Sequence, residues 1–239
     1  LLWWATDHWQ GIFDGAFLAL GGNSFLLAAM AALCCLLVAL LLGYGKRRHP
    51  GPWENRAVRV SSMGYAVPGT VIAVGVLLPL AWLDNTIDSL MRTHFGFSTG
   101  LLLSGTLFAL VFAYTVRYLS VALQSVEAGL ARIRPSIDES ARSLGSSPGR
   151  VLRRIHLPML RGSLLTALLL VFVDVLKELP ATLILRPFNF NTLAVRTYEL
   201  ASDERLAEAG APALAIVLIG LLPVILLMRN LGGGSRVND

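Results

Sequence analysis

Three ionisable residues interrupt an otherwise apolar stretch: Asp174, Lys177 and Glu178 in FVDVLKELPATLIL. On a helix Asp174 and Glu178 share a face at i,i+4, and Lys177 lies i,i+3 from Asp174. Ionisable groups at membrane depth are costly and normally face protein or water. Two readings compete. Carboxylate oxygens lining a pathway near its outer end would suit a hard, highly charged cation, with Glu178 gating or contacting the solute. The plainer reading is a self-compensated salt bridge that fixes helix packing, because Lys177 opposes a trivalent cation. Pro180 follows and would kink or loosen the helix. Elsewhere the residues offer little chemistry. His8, His49, His94 and His156 are scattered without metal-ligand spacing, so no metal site is expected. The sequence contains neither H-E-x-x-H nor a phosphate-binding Gly-rich loop ending in Lys, so the chain does not itself hydrolyse ATP through a P-loop. Ser104 and Ser120 fall in an apolar stretch without a His to activate them, which argues against an intramembrane enzyme and leaves no catalytic residue to name.

The most structured polar segment is 134–158, RPSIDESARSLGSSPGRVLRRIHLP. Ser136 followed by Glu139 reads as a capping box. Ile137, Ala141 and Leu144 then form an apolar face, and Gly145 supplies a left-handed stop. Ser147 caps again, with Pro148 at the first helical position. Val151, Leu152 and Ile155 form a second apolar face, and Pro158 closes the unit. The pattern predicts two short helices joined by a Gly turn. Each is too short to be stable alone, so each must dock on something.

The elements that position these groups are membrane spans. Of 239 residues, 55% are hydrophobic and only 15% charged, where soluble domains run nearer a quarter charged. Five apolar stretches, approximately 23–44, 61–83, 101–123, 162–185 and 210–228, are long enough to cross the bilayer as helices. They lack the period-2 alternation of barrel strands. The fold expected is an all-α polytopic transmembrane bundle. Its net charge of +5 is placed by position. Lys46, Arg47, Arg48, Arg56 and Arg59 follow the first stretch, a run of arginines from Arg132 to Arg161 follows the third, and Arg229 and Arg236 end the chain. Positive residues mark cytoplasmic loops, so the N-terminus is outside and the C-terminus inside. Residues 1–22, with Trp3, Trp4 and Trp9 as an interfacial belt, are read as a periplasmic segment, 23–229 as the transmembrane domain and 230–239 as a cytoplasmic tail. The chain opens at Leu1 without a signal-peptide pattern, as a fragment of something longer would. Arg117 is expected to snorkel to the cytoplasmic interface. Adjacent Cys34 and Cys35 cannot face each other on a helix, so no disulfide is expected. Gly64, Gly69, Ala73 and Gly75 suit close helix packing; a hinge at Pro68 and Gly69 is the alternative.

Segment 134–158 resembles the EAA loop of ABC importer permeases, whose pattern is E-A-A, three residues, G, nine residues, I-x-L-P. Glu139, Ala141, Gly145, Ile155, Leu157 and Pro158 stand at that spacing, with Ser140 in place of the first Ala. The resemblance implies a type I ABC importer permease, in which this loop seats in a groove of a separate nucleotide-binding ATPase subunit. ATP is then used by that partner, and no cofactor is held by this chain. The segments YAVPGTVIAVG (65–75) and DVLKELPATLILRPFNFNTLAVRTYELASDERLAEAG (174–210) resemble the C-terminal half of ferric-iron permeases. Polyamine, thiamine, sulfate and phosphonate permeases share much of this architecture. The family resemblance implies a second permease half, fused or a further copy, a periplasmic solute-binding protein, and the bacterial inner membrane, with lipid and no nucleic acid as surroundings.

Overall fold

The computed structural model describes residues 15–232, and every regular element among them is helical. α1 is Gly15–Arg48, α2 Pro52–Ser61, α3 Gly69–Phe95 and α4 Leu107–Ala131. α5 is Pro135–Ser143, α6 Pro148–Val151, α7 Leu157–Leu176 and α8 Pro180–Leu185. α9 is Leu193–Ser202 and α10 Leu206–Gly232. Five of the helices are long and apolar enough to cross a membrane, as the five apolar stretches require. The tryptophans before residue 10, His8 and the tail from residue 233 lie outside the described residues.

α1, α4 and α7 pack together as the centre of the bundle. The seam on α1 is made of small residues, Ala28, Ala31, Ala32, Cys35 and Ala39, all fully buried at helical spacing. Without side-chain bulk the helix axes approach closely, which is how helices associate when lipid supplies no hydrophobic drive. α4 meets that seam with Leu110, Tyr114, Leu123 and Val126, all buried. Cys34 and Cys35 are free thiols.

The span boundaries shift for local reasons. Residues 61–68, placed in the second span by hydropathy, instead hold a 3-10 turn at Gly64–Ala66 and the cap Pro68, so α3 starts at Gly69. It then runs to Phe95, where Gly96 (φ 73°) takes the left-handed conformation and closes the helix on the Arg92 carbonyl. Ser104, read as part of a span, precedes α4. Its backbone N–H and hydroxyl donate to Asp84, which is buried and also accepts the N–H groups of Leu102 and Leu103. This carboxylate therefore ties the α3–α4 connection to α3.

Of the glycines read as packing positions, Gly64 and Gly69 are tightly enclosed and Gly75 faces open space. A Cβ on Gly64 would overlap the Val116 carbonyl oxygen, which is backbone of α4 and cannot move aside alone. Gly64→Ala should therefore cost about 1–3 kcal/mol. Thermal unfolding in detergent checks it, with Gly75→Ala as the neutral control; equal midpoints for the two variants would refute the close packing.

The fourth stretch differs most from its expected span of 162–185. α6, a π turn at Leu152–His156 and α7 run as one rod from Pro148 to Leu176. The chain then leaves the helix at Lys177 and restarts at Pro180. The break is where the proline rule puts it, since Pro180 has no N–H to continue the ladder and fits the first position of a new helix. Beyond α8 the connection 186–209 contains α9. Its Thr192 side chain accepts from Val195 N–H, and Leu193 N–H donates to Ser24 on α1.

Candidate functional site

The polar segment folds at the end of the bundle where α1 finishes in Lys46, Arg47 and Arg48. α5 begins at Pro135, with Arg134 as its N-cap. The capping box expected from Ser136 and Glu139 does not form, because Pro135 takes the first helical position and pulls Ser136 inside the helix. The stop is as expected: Gly145 has φ 73°, and Ser146 N–H donates to the Ala141 carbonyl at 3.0 Å. Ser147 flanks α6 with Pro148 at the first position, although its hydroxyl makes no cap bond.

Pro158 does not close a separate unit. It lies in the first turn of α7, inside the continuous rod. A proline there removes a donor from the ladder and crowds the carbonyl four residues back. The helix accommodates it by widening, with Leu157 N–H bonding the Leu152 carbonyl across a π turn. The second short helix is thus rigidly part of a membrane span.

Of the residues matched to the EAA pattern, Glu139, Ser140 and Gly145 are exposed on the loop and Ala141 is buried beneath them. Leu144 was expected on the inward apolar face; instead it is 85% exposed at the tip. Ile155 and Leu157 are partly covered along the rod, and Pro158 is exposed.

What mounts the loop was missed by sequence reasoning. Asp138 accepts from Arg47 Nε at 2.8 Å and from His156 Nε2 at 2.6 Å. Arg47 also donates to the Leu130 carbonyl in the last turn of α4 at 2.7 Å and to the Ile133 carbonyl just past its end at 2.8 Å. His156 is fully buried, with its ring 5.3 Å from that of Tyr44, and the Tyr44 hydroxyl donates to the Pro148 carbonyl. A carboxylate only accepts, so Nε2 carries the imidazole hydrogen. Burial disfavours the charge on Asp138, but the bonds from His156 and Arg47 outweigh it and hold its carboxyl below the usual aspartate range. One carboxylate thereby joins α1, α4, α5 and the α6–α7 rod.

The second constellation lies along α4. Arg117 is about 15 Å from the start of this helix and about 21 Å from its end, at ~1.5 Å per residue. That places it near the middle of the span. It does not snorkel: its Nε lies 3.7 Å from Glu178 Oε2, and its guanidinium packs over the Tyr118 ring. The reason is that Glu178 is buried at the same level and must be compensated there. The Tyr118 hydroxyl donates to Glu178 at 2.5 Å, and Glu178 accepts the Ala181 N–H at the start of α8. A Cβ on Gly69 would strike both Arg117 and Glu178, so Pro68 and Gly69 abut the pair at the start of α3. Asp174 and Lys177 pair at 3.0 Å, as the spacing suggested. Glu178 is not part of that bridge. The missed signal was two lone intramembrane charges of opposite sign, Arg117 and Glu178, on different spans.

Residues 35–233 match the family of binding-protein-dependent transport system inner membrane components. The chain belongs to this family. Among its relatives, the Fe(3+)-transport system permease protein FbpB 2 of Haemophilus influenzae is 30% identical over 213 residues. That match covers 89% of this chain and 39% of the relative, so the permease chain described here spans well under half of that protein's length. The putative 2-aminoethylphosphonate transport system permease protein PhnV of Salmonella typhimurium is 29% identical over 238 residues, covering 94% of this chain and 83% of PhnV. In fold, the permease is similar to a chain of a bacterial ABC transporter that imports alginate, with TM-score 0.69 and 13% identity over 98% of this chain and 84% of that one. A chain of the MetNI methionine ABC transporter gives TM-score 0.64 and 16% identity, covering 94% of this chain and 100% of its own length. The permease is a multi-pass, all-helical membrane protein with the fold of ABC importer permeases.

Proposed function

We propose that this chain is one permease half of a binding-protein-dependent ABC importer in a bacterial inner membrane, driven by a separate ATPase subunit that grips residues 135–151. The observation that carries this reading is the mounting of the loop. α5 and α6 present Glu139, Ser140, Leu144 and Gly145 outward, while Asp138 fastens them from behind to α1, α4 and the rod that becomes α7. A push on such a loop moves whole spans as rigid bodies. The basic residues gathered at that end support its placement on the cytoplasmic side. Leu144, apolar and exposed, suits burial in a partner's groove.

A second permease half is required by this reading, since one bundle of this size cannot enclose a pathway alone, and a periplasmic binding protein would deliver the solute to the opposite end. Ferric iron is the solute suggested by the resemblance of 65–75 and 174–210, and the name of the Haemophilus relative supports it. 2-Aminoethylphosphonate, named for the Salmonella relative, is the second reading, and one observation favours it: in both intramembrane ion pairs the cation is the more exposed partner.

Gly145→Glu tests the coupling role. The left-handed φ of 73° strains any side chain there, and the added charge enters the expected contact. Co-purification of the ATPase subunit with the permease should be lost while the permease still reaches the membrane. An ATPase retained at wild-type level would place the grip elsewhere.

A further inference from the structure

We infer that the solute meets this chain as an oxyanion, attracted by Lys177 at the middle of the membrane. The inference rests on the permease reading above and names the charge class of what is carried.

Lys177 follows α7 directly and precedes Glu178, which is hydrogen bonded to Tyr118 near the midpoint of α4. Its backbone therefore sits near mid-membrane. Yet its side chain is 64% exposed on this chain. From that depth a lysine cannot reach either interface, roughly 15 Å away in a hydrocarbon layer about 30 Å thick. The ammonium must face water or another protein surface, not lipid.

The face it occupies is continuous. Ser163, Thr166, Leu170, Val173 and Lys177 follow one another at alternating spacings of three and four, and none of them is buried within the bundle. Toward the basic end the same face opens on a cavity of about 450 Å3 between α4 and α7, where Arg132 is the sole charged lining residue. The carboxylates at this level are withdrawn. Asp174 is 18% exposed and Glu178 5%, against 64% for Lys177 and 20% for Arg117. Arg117 also keeps its buried Nε and Nη1 without a hydrogen-bond partner among the described residues. Lys177 Nζ is paired with Asp174 at 3.0 Å but is the more exposed partner, so a solute moving along this wall would meet the ammonium before the carboxylate. Bare Fe3+ would be repelled there, whereas a phosphonate would be drawn in. Ferric iron wrapped in oxyanion ligands would present the same chemistry, so the two sources are separated by experiment.

The test uses the assembled importer in proteoliposomes with Cys34→Ala and Cys35→Ala. Leu170→Cys places a thiol on the same face, two turns or about 10 Å from Lys177. It is reacted with a sulfonate-bearing and a trimethylammonium-bearing thiosulfonate. Lys177→Gln should lower the sulfonate-to-ammonium rate ratio by about tenfold, the scale of one charge acting over that distance in a partly screened site. An unchanged ratio overturns the inference, as does a thiol that neither reagent reaches, which would put a second copy or half over this face. Uptake supplies the second arm. Lys177→Arg should retain, and Lys177→Gln should lose, uptake of 2-aminoethylphosphonate or of ferric citrate, and which probe is carried identifies the source. Faster uptake of uncomplexed ferric iron in Lys177→Gln would also overturn it. Failure of the permease reading looks different: the wild-type chain would retain no ATPase subunit, whatever the thiol rates.

Discussion

If an ATPase subunit grips residues 135–151 as proposed, Asp138→Ala should uncouple this permease from it while leaving the bundle folded. The substitution removes the acceptor that Arg47 and His156 share, leaving Arg47 only its two carbonyl contacts, at side-chain exposures of 16% and 0%. Removing one member of a largely buried charged network costs about 3–5 kcal/mol, and the partial exposure of Asp138, 22%, brings the expectation to about 2–4 kcal/mol. The loss is local, because the apolar contacts among α1, α4 and α7 do not pass through Asp138. Hydrogen exchange should accelerate over residues 135–151 and remain unchanged in α4, and solute-stimulated ATP hydrolysis should fall at least about tenfold. Asp138→Asn should be intermediate, since an amide still accepts one bond but carries no charge. The pH dependence follows from the same contacts. The folded carboxyl titrates below its unfolded value, so its contribution is complete above the unfolded value of about 3.9. It is lost only as pH falls through the lower folded value. Exchange in the loop should therefore be flat from neutral pH down to about 5, after correction for intrinsic rates, and rise only below about 4. A loop that loosens between pH 7 and 5 would show that Asp138 is not what holds it.

The parts of this molecule that obey a local rule are legible in its sequence. Long apolar runs became spans because lipid forces the backbone to satisfy itself within each segment. Gly145 became a left-handed stop because backbone chemistry there leaves few options; Pro180, expected to kink or loosen one span, ends it and starts another helix. The failures came where two segments far apart in sequence meet. Arg117 looked like a snorkelling residue because a span over 101–123 places it late in the crossing; α4 runs instead from Leu107 to Ala131, and the partner of Arg117 is sixty-one residues on, across a helix interface. Asp138 gives no signal in the sequence, since Arg47 and His156 approach it from separate elements. Pro158 reads as a terminator by the usual rule, and the five-residue π turn that absorbs it leaves no signature in the sequence. Local patterns specified the pieces, and the polar contacts that select one assembly of those pieces were invisible to them.

The second large effect is expected at the buried pair. Arg117→Met should lower the stability of the permease by about 3–5 kcal/mol, because it leaves the Glu178 carboxylate uncompensated in a site that is 5% exposed. The reverse change, Glu178→Gln, is milder for folding: the amide oxygen can still accept the Ala181 N–H that starts α8, while the amide NH2 can donate to the Tyr118 hydroxyl in place of the bond it loses. It should nonetheless weaken transport, because Glu178 links the α7–α8 break to α4 and, through Gly69, to the start of α3. These are the elements that would have to move against one another if Pro68 and Gly69 act as a hinge. The double variant Arg117→Met, Glu178→Met separates the two roles. Replacing both charges by apolar groups of similar length is often neutral for stability, so thermal unfolding in detergent should return toward the wild-type midpoint. Solute uptake by the assembled importer should not return with it. If uptake recovers together with stability, the pair is packing alone, and the reading of the α7–α8 break as part of the transport pathway fails. If Arg117→Met is as stable as the wild-type chain, Glu178 has found another partner, and the compensation argued from its burial is wrong.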